Sequence, residues 1–267
     1  MLRTRIYTAA VLLLLFCGAL FGLPQWGWAL ALLPLMLGAA WEWGALAGLG
    51  AGLRWVYLAV FVVMGGLLWW KLGARAWIDS ALAASAVFWV VVAPVWLWRG
   101  WRPPRMALLA AGVVAILPLW LSFVLLHDRG GLLILLLGIP WLSDTGAYAC
   151  GRVWGKHKLA PAISPGKTWE GLGGAAAAVA LYYGLLQWGG VELPPPMQGV
   201  VGLTIFLLLM LLGVEGDLLE SWIKRVAGVK DSGTWLPGHG GVLDRVDALT
   251  SAIPAAAVVL LLERARG

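Results

Sequence analysis

The chain has 267 residues, of which 61% are hydrophobic and 12% are charged, and this charged fraction is about half that of an ordinary soluble domain. Its apolar runs are too long for the buried helices of a soluble protein, so the composition excludes a typical soluble domain and indicates a protein embedded in a lipid bilayer. A net charge of +6 would suggest a nucleic-acid partner in a soluble protein. Here several cations lie beside apolar runs, where they anchor helices at the lipid headgroups, and no nucleic-acid partner is expected.

Nine apolar runs of the sequence are long enough to be membrane-spanning helices. A spanning helix needs about 20 mainly apolar residues, because its backbone groups must be hydrogen-bonded within the helix. The sequence therefore predicts an all-α polytopic membrane protein with about nine transmembrane helices. The predicted spans lie near residues 6–23, 26–47, 53–71, 77–98, 106–126, 131–150, 170–189, 197–215 and 243–262. The first is expected to be retained rather than cleaved as a signal peptide, because its apolar run is long and another span follows directly.

The positive charges predict how these helices are oriented. With the N-terminus in the cytoplasm, 14 of the 19 Lys and Arg residues lie in or beside cytoplasmic segments, as the positive-inside rule requires. The C-terminus is then outside the cytoplasm. The two polar loops richest in cations, near residues 151–169 and 216–242, face the cytoplasm in this orientation.

The distribution of acids divides the chain into two parts. Residues 1–130 are predicted to form an N-terminal transmembrane scaffold and residues 131–267 a C-terminal catalytic part, because nine of the 13 acids fall within residues 144–247. The notable acid of the scaffold is Glu42, near the end of the second span. Two interpretations of Glu42 stay open: a functional acid within the membrane, or an interfacial side chain between two tryptophans.

The first polar cluster, Asp-Thr-Gly-Ala-Tyr, begins at Asp144 near the cytoplasmic end of the sixth span. If this segment is helical, Asp144, Tyr148 and Arg152 share one face because they are four residues apart. The cluster is either part of a substrate site or an Asp–Arg pair that ends a helix.

The second polar cluster runs from Ser164 to Gly171 and reads Ser-Pro-Gly-Lys-Thr-Trp-Glu-Gly. Its Gly-Lys-Thr fragment is not a P-loop, because that motif needs a glycine where this chain has Pro161 and also a preceding strand. Lys167 and the backbone amides at the start of the next helix are nevertheless suited to phosphate oxygens. The Gly- and Ala-rich helix that follows predicts close helix packing.

The third polar cluster spans residues 216–247 and is the longest. Two acids, a hydroxyl and a cation share one predicted helix face: Asp217, Glu220, Ser221 and Lys224. After a glycine turn, Asp244 and Asp247 form a second acidic face at the head of the last span. Oxygen ligands from two helix ends suit Mg²⁺, which usually takes one or two carboxylates with substrate phosphates. His239 in the turn either contacts phosphate or has a structural role.

The third cluster resembles the signature of the phosphatidate cytidylyltransferase family, also called CDP-diacylglycerol synthases. The signature reads Ser-x-x-Lys-Arg, Lys-Asp-x-Gly, Pro-Gly-His-Gly-Gly and Asp-Arg-x-Asp, and this chain matches it from Ser221 to Asp247. The first two clusters and the early Trp-Glu-Trp also resemble family patterns, whereas Trp235 departs from them. The resemblance implies a nucleotidyltransferase that moves a cytidylyl group from CTP to phosphatidic acid and releases pyrophosphate.

The resemblance also implies a homodimer. The expected location is the bacterial inner (plasma) membrane, where the charge distribution places the active site on the cytoplasmic face and the C-terminus in the periplasm. The resemblance further implies that Asp217 and Asp244 hold Mg²⁺, with K⁺ as an optional second ion. A phosphomonoester is already largely anionic at pH 7, so basic residues are expected to neutralise phosphates and no strong general base is needed. The residues expected in catalysis are Asp217, Asp244, Lys167, Lys224 and Arg225. The residues expected to bind substrate are Asp144, Ser164, Ser221, Lys230, His239, Gly240, Gly241, Arg245 and Asp247.

Two other functions are compatible with the sequence. Another CTP-dependent lipid enzyme, such as a polyprenol kinase, would transfer the γ-phosphoryl group instead of the cytidylyl group. A membrane transporter would also contain intramembrane acids, but it would gather them near the midplane, whereas here they collect on one face. The cytidylyltransferase interpretation is therefore preferred.

Overall fold

A computed structural model describes residues 2–235 and 240–264 of the chain, and it describes side chains for residues 10–235 and 240–263. About 79% of the chain is helical, which confirms a predominantly α-helical protein. His239, predicted to bind substrate, lies outside the described residues.

Seven helices form the described part of the chain up to residue 125. They are α1 (Leu2–Gly22), α2 (Gln25–Ala31), α3 (Leu33–Leu46), α4 (Ala51–Trp70), α5 (Arg75–Val87), α6 (Ala93–Arg99) and α7 (Arg105–Leu125), with a π-helical segment at Phe88–Val92. Their breaks follow from the sequence. Pro24 precedes α2 in an extended conformation, and Gly100 ends α6 in the left-handed region with a φ of 58°.

Five more helices and one hairpin follow in the described C-terminal part. They are α8 (Gly130–Trp154), β1 (Lys158–Ala160), β2 (Ser164–Thr168), α9 (Trp169–Trp188), α10 (Gly199–Val226), α11 (Leu243–Val246) and α12 (Leu249–Arg264), with 3₁₀ turns at His127–Arg129 and Pro195–Met197. The 28-residue α10 exceeds the length of about 20 residues that a bilayer requires. Its polar C-terminal turns therefore extend the helix beyond its apolar part.

Six helical segments in the described part of the chain are long and apolar enough to cross a membrane, as expected for a multi-pass membrane protein. They are Gln25–Leu46, Ala51–Trp70, Arg75–Arg99, Arg105–Leu125, His127–Trp154 and Gly199–Val226. The other three predicted spans lie on α1, α9 and α12. Within the residues whose side chains are described, the apolar parts of α1 and α12 are Ala10–Gly22 and Leu249–Glu263, and α9 is rich in Gly and Ala. The count of nine spans and their orientation stay predictions.

The all-α prediction misses a small antiparallel hairpin formed by β1 and β2, in which Ala160 lies opposite Ser164. Lys167 thus lies on a strand, two residues before α9 begins. The next residue, Thr168, caps α9, because its side-chain oxygen accepts a hydrogen bond from the Gly171 amide. The strands are too short, and β2 too rich in Pro and Gly, for the alternating pattern that identifies a strand in a sequence.

The last helix joins the two parts of the chain. α12 packs against α5 and α7 on one side and against α10 on the other, and α7 packs in turn against α3. Buried indoles reinforce the contact of α7 with α2 and α3. The ring nitrogens of Trp28, Trp43 and Trp120 donate to backbone carbonyls of the facing helices at 2.8–3.0 Å. Such donors must find partners because unpaired polar groups are costly in an apolar interior.

Helices α8 and α9 pack through glycines, which confirms the close packing that the Gly- and Ala-rich sequence predicts. A Cβ atom added to Gly146 would lie 2.6 Å from the Gly174 carbonyl oxygen, and one added to Gly174 would overlap Cys150. The hairpin lies between these two helices in the chain, and β2 contacts α10. The close α8–α9 contact therefore helps to hold β2 near the polar end of α10.

Candidate active site

Helix α10 carries the polar face that the sequence predicts. It continues to Val226, so residues 216–226 are helical and the loop that follows begins later than the predicted end of the eighth span. The Ser221 hydroxyl donates to Asp217 Oδ1 at 3.2 Å, and Lys224 Nζ lies 2.5 Å from Glu220 Oε2. Both contacts join residues four positions apart, as expected for one helix face.

Lys224 links α10 to the second acidic segment of the chain. Its ammonium group lies between Glu220 and Asp244, with Nζ 2.6 Å from Asp244 Oδ1. All three side chains are largely removed from solvent, with exposed fractions of 11% for Lys224, 3% for Glu220 and 9% for Asp244. A buried charge needs such partners, because an uncompensated one costs several kcal/mol, on the order of 3–5.

Asp244 lies on the short helix α11, before the apolar helix α12 begins. Besides Lys224, it accepts hydrogen bonds from the backbone amides of Ser232, at 3.1 Å, and Gly241, at 2.8 Å. Burial raises the pKa of Asp244, but the hydrogen bonds from Lys224 and the Gly241 amide outweigh this effect, so its pKa lies below the usual value. Asp244 is therefore a carboxylate at neutral pH.

Asp217 forms the more open end of the same site. Its Oδ2 atom lies 2.7 Å from Lys167 Nζ, and the exposed fractions are 31% for Asp217 and 23% for Lys167. The β-hairpin supplies this lysine, so the second and third polar clusters of the sequence meet here. A partly exposed pair can exchange partners with an incoming charged ligand more easily than the buried pair of Lys224 and Asp244.

Asp144 and Asp247 complete the cluster. Asp144, on α8, interacts electrostatically with Asp217, Lys167 and Arg245, and Asp247 interacts with Asp217, Lys167 and Lys224. All three polar clusters of the sequence therefore lie together. Among these described residues, five carboxylates (Asp144, Asp217, Glu220, Asp244 and Asp247) face three cations (Lys167, Lys224 and Arg245). Carboxyl groups thus outnumber cations here, and carboxylate oxygens are the ligands that a hard divalent cation prefers.

The alternative Asp–Arg pair at the end of α8 does not form. Arg152 instead donates to the Tyr148 hydroxyl at 2.6 Å, whereas Asp144 faces the charged cluster. Both Tyr148 and Arg152 are exposed.

The remaining predicted site residues lie around the cluster. Arg225 is exposed and donates from Nε to the Ile163 carbonyl oxygen at 3.3 Å, which joins the end of α10 to the hairpin turn. Ser164 lies on β2, and Lys230 is exposed in the loop after α10. Gly240 has a φ of 81°, so this turn position requires glycine.

A cavity of about 190 Å³ opens beside the Lys167–Asp217 pair. It lies between α8, α9, β2 and α10. Asp144 and Lys167 are the charged groups of its lining, and most of its wall is apolar. The apolar part comprises Ala147, Leu159, Leu172, Ala175 and Val214. A cavity of this composition fits a ligand with an anionic group and a hydrocarbon part.

Comparison with known proteins agrees with this site. A family model described as the cytidylyltransferase family matches residues 3–262. The chain belongs to the cytidylyltransferase family. Among its relatives named phosphatidate cytidylyltransferase, the protein of Pseudomonas aeruginosa is 37% identical over 97% of both chains. That of Haemophilus influenzae is 34% identical over 95% of this chain and 96% of its own, and that of Brucella suis is 40% identical over 94% and 90%. The predicted family resemblance is confirmed.

One residue of this cytidylyltransferase that sequence reasoning left undecided is Glu42. It is buried, with 2% of its surface exposed, and it accepts hydrogen bonds from Ser232, Val242 and Leu243. Glu42 is therefore packed inside the protein, as is the neighbouring Trp43, and its depth in the membrane stays a prediction. The signal in the sequence was an acid within an apolar run, but nothing in the sequence indicated its partners.

The donor set of the site fits a magnesium ion only together with substrate. Among the described residues, no group of three or more His, Cys, Asp or Glu side chains is arranged to hold a metal ion. Mg²⁺ usually takes one or two carboxylates from the protein, and phosphate oxygens and water complete its shell. The candidate carboxylates here are those of Asp217 and Asp244. Among the described residues, Glu220 Oε1 is buried without a hydrogen-bond partner.

Proposed function

We propose that this member of the cytidylyltransferase family is a phosphatidate cytidylyltransferase, which converts CTP and phosphatidic acid into CDP-diacylglycerol and pyrophosphate for phospholipid biosynthesis. The observation that carries the proposal is the Lys167–Asp217 pair, which lies between the charged cluster and the largely apolar cavity. This arrangement can receive a nucleotide on one side and a lipid phosphate on the other. The names of the relatives agree with it.

The reaction joins two anions. A phosphomonoester oxygen of phosphatidic acid attacks the α-phosphorus of CTP, a new P–O bond forms there, and the bond from that phosphorus to the bridging oxygen of the β-phosphate breaks. Pyrophosphate leaves with the bonding electrons. The nucleophile is already largely ionised at pH 7, since the second pKa of a phosphomonoester is about 6. The enzyme must therefore reduce electrostatic repulsion rather than remove a proton.

The basic residues are assigned to this task. Lys167 and Lys224 are held at the centre of the site by carboxylates, and they neutralise the reacting phosphates. Arg225, Lys230 and Arg245 lie at its periphery, where they attract the triphosphate and the departing pyrophosphate. Ammonium and guanidinium groups placed before substrate arrives lower the barrier without reorganising during the reaction.

Asp217 and Asp244 would hold Mg²⁺, with K⁺ as a second ion of the same site. Bound there, Mg²⁺ supplies positive charge that polarises the phosphate oxygens. The excess of carboxylates over cations in the cluster supports this assignment. The two carboxylates therefore act as ligands in this proposal and not as bases.

The other predicted residues bind substrate. The cavity lined by Asp144 and Lys167 receives the lipid, so that its phosphate lies beside Lys167 and part of an acyl chain follows the apolar wall. The residues proposed to contact substrate are Asp144, Ser164, Ser221, Lys230, His239, Gly240, Gly241, Arg245 and Asp247.

Replacing Leu172 with Trp narrows the apolar part of the cavity and should raise KM for long-chain phosphatidic acid, while KM for CTP stays unchanged. An equal change in both KM values would contradict this lipid position.

The proposed setting is the bacterial inner membrane. Nine spans with a cytoplasmic N-terminus and a periplasmic C-terminus would place the charged cluster on the cytoplasmic side, where CTP is available, and the enzyme would act as a homodimer. The distribution of Lys and Arg supports this orientation. A reporter fused to the C-terminus should be active in the periplasm, and cytoplasmic activity would contradict the nine-span topology.

The direct test of function uses purified protein with phosphatidic acid, CTP and Mg²⁺. Mass spectrometry of the lipid product should identify CDP-diacylglycerol. A product that gains only one phosphoryl group would indicate a kinase. Unchanged lipid, together with solute flux across liposomes, would indicate a transporter.

A further inference from the structure

Glu42 forms a direct connection between the predicted scaffold and the predicted catalytic part. It lies on α3, but its hydrogen-bond partners lie about 190–200 positions later in the chain. Glu42 Oε2 accepts from the Ser232 hydroxyl and the Leu243 amide, both at 2.8 Å, and Oε1 accepts from the Val242 amide at 3.0 Å. Three donors thus compensate the burial of this carboxylate.

The residues that bind Glu42 also hold Asp244. The Ser232 backbone amide donates to Asp244 Oδ2, and the Ser232 hydroxyl oxygen accepts from the Asp244 amide at 3.3 Å. The Gly241 amide, adjacent to Val242, donates to the same carboxylate oxygen at 2.8 Å. The orientation of the Asp244 carboxylate therefore depends on the loop position that Glu42 fixes.

Three glycines pack closely against Glu42 or against the loop that binds it. A Cβ atom on Gly233 would overlap the Glu42 carboxylate, and one on Gly241 would overlap both that carboxylate and Ser232. Behind the loop, a Cβ atom on Gly38 would lie 3.2 Å from Val242. The two loop glycines thus allow the backbone to approach the carboxylate, as expected of a contact that sets a conformation.

We infer that Glu42 is a positioning residue for nucleotidyl transfer, which acts by fixing its three hydrogen-bond partners and thereby orienting Asp244 beside Lys224. This inference rests on the proposed function. A carboxylate suits the role because it is acceptor-only and presents two oxygens to three donors. Glutamine has one acceptor oxygen and would direct an NH₂ group at a donor, so it can preserve only part of the contact.

The experiment compares E42A, E42Q and S232A with D79N in the full-length enzyme, in mixed micelles of detergent and phosphatidic acid. D79N is a matched control because it removes an exposed carboxylate from α5 in the same part of the chain. The kcat of E42A should fall about 10- to 100-fold because Asp244 loses its orientation, and small misplacements of reacting groups have effects of this size. E42Q should retain more activity than E42A, and KM for phosphatidic acid should stay within about threefold of wild type, since Asp244 lies outside the lipid cavity.

Two measurements separate positioning from a general loss of structure. If Glu42 acts through Ser232, the effects of E42A and S232A on kcat should be less than multiplicative in the double variant E42A/S232A, because the contact that they share is lost only once. Amide hydrogen exchange at residues 232–235 and 240–243 should become faster in E42A, while exchange in α7 and α10 stays unchanged. If E42A does not fold, E42Q and G241A supply the same comparisons.

Several results would overturn the inference. One is that E42A and E42Q have the same kcat as D79N. A second is that the effects of E42A and S232A on kcat multiply independently in the double variant. A third is that amide hydrogen exchange in the loop is the same in E42A as in the wild type. Absence of CDP-diacylglycerol formation by the wild-type enzyme would instead overturn the proposed function. In that case, hydrogen exchange still decides whether Glu42 fixes the loop.

Discussion

The two parts of this chain use polar groups differently. In the N-terminal part, buried donors such as the Trp28 and Trp43 indoles pair with backbone carbonyls, and these pairs join helices. In the C-terminal part, charged side chains pair with one another, as in Lys167–Asp217 and Lys224–Asp244. The first arrangement satisfies these indoles within the fold. The second leaves more carboxyl groups than cations at one site, and it is there that we place the chemistry.

The largest expected effect of a single substitution is on the two proposed metal ligands. D217N and D244N should each reduce kcat at least about 100-fold, because each removes charge that supports transition-state stabilisation. D244N should also lower the midpoint of thermal unfolding more than D217N, because it weakens the buried contact with Lys224. D128N, at a side chain that is 82% exposed, is the control. Near-normal activity of either site variant, measured by CDP-diacylglycerol formation, would falsify the ligand assignment.

A smaller effect is expected for the lysine of the hairpin. K167A should reduce kcat/KM about 10- to 100-fold, the range for loss of one charge-assisted hydrogen bond to a phosphate. K158A is the matched control, because Lys158 is an exposed lysine on the same hairpin. Steady-state kinetics with both substrates varied should show this difference. Equal kcat/KM values for the two variants would show that Lys167 does not contribute to catalysis.

The glycine contact between α8 and α9 should affect stability. G174A inserts a methyl group against Cys150 and should destabilise the fold by about 1–3 kcal/mol, as overpacking does in well-packed interiors. G173A should change stability by about 0.5 kcal/mol or less, because its Cβ meets no atom within 4 Å. Thermal unfolding in detergent micelles compares the two variants. If they melt together, the α8–α9 contact is looser than the structure indicates.

The smallest effect is expected in the N-terminal part. W43F removes the hydrogen bond from the Trp43 indole to the Leu108 carbonyl and should cost about 1 kcal/mol of stability, with kcat unchanged. W41F is the control, since Trp41 is partly exposed and packs edge-to-face against Trp55. A fall in kcat for W43F at unchanged stability would show that the N-terminal contacts influence chemistry more widely than through Glu42.

Much of the architecture was predictable because its signals are local. Apolar length identified the segments that became α4 and α7 to within a few residues, and the spacing of Asp217, Ser221 and Lys224 correctly predicted one helix face. The hairpin was missed because its strands are short and contain Pro and Gly. A contact between residues far apart in the chain has no local pattern in a single sequence. The pairing of Lys224 with Asp244 and the contact of Glu42 with the loop could therefore not be predicted.

The division at residue 130 stays a prediction, and two features cross it. α12 packs on both α7 and α10, and Glu42 on α3 holds the loop that precedes α11. The N-terminal helices thus contribute to the geometry of the site as well as to anchoring in the membrane.

The central claim is cytidylyl transfer, and labelled CTP tests it most directly. Purified enzyme is incubated with phosphatidic acid and Mg²⁺ in parallel with [α-³²P]CTP and [γ-³²P]CTP, and the lipid fraction is extracted. The account predicts that the α-label enters the lipid and the γ-label is released as pyrophosphate, with both signals lost in D217N. Lipid carrying the γ-label would contradict the account.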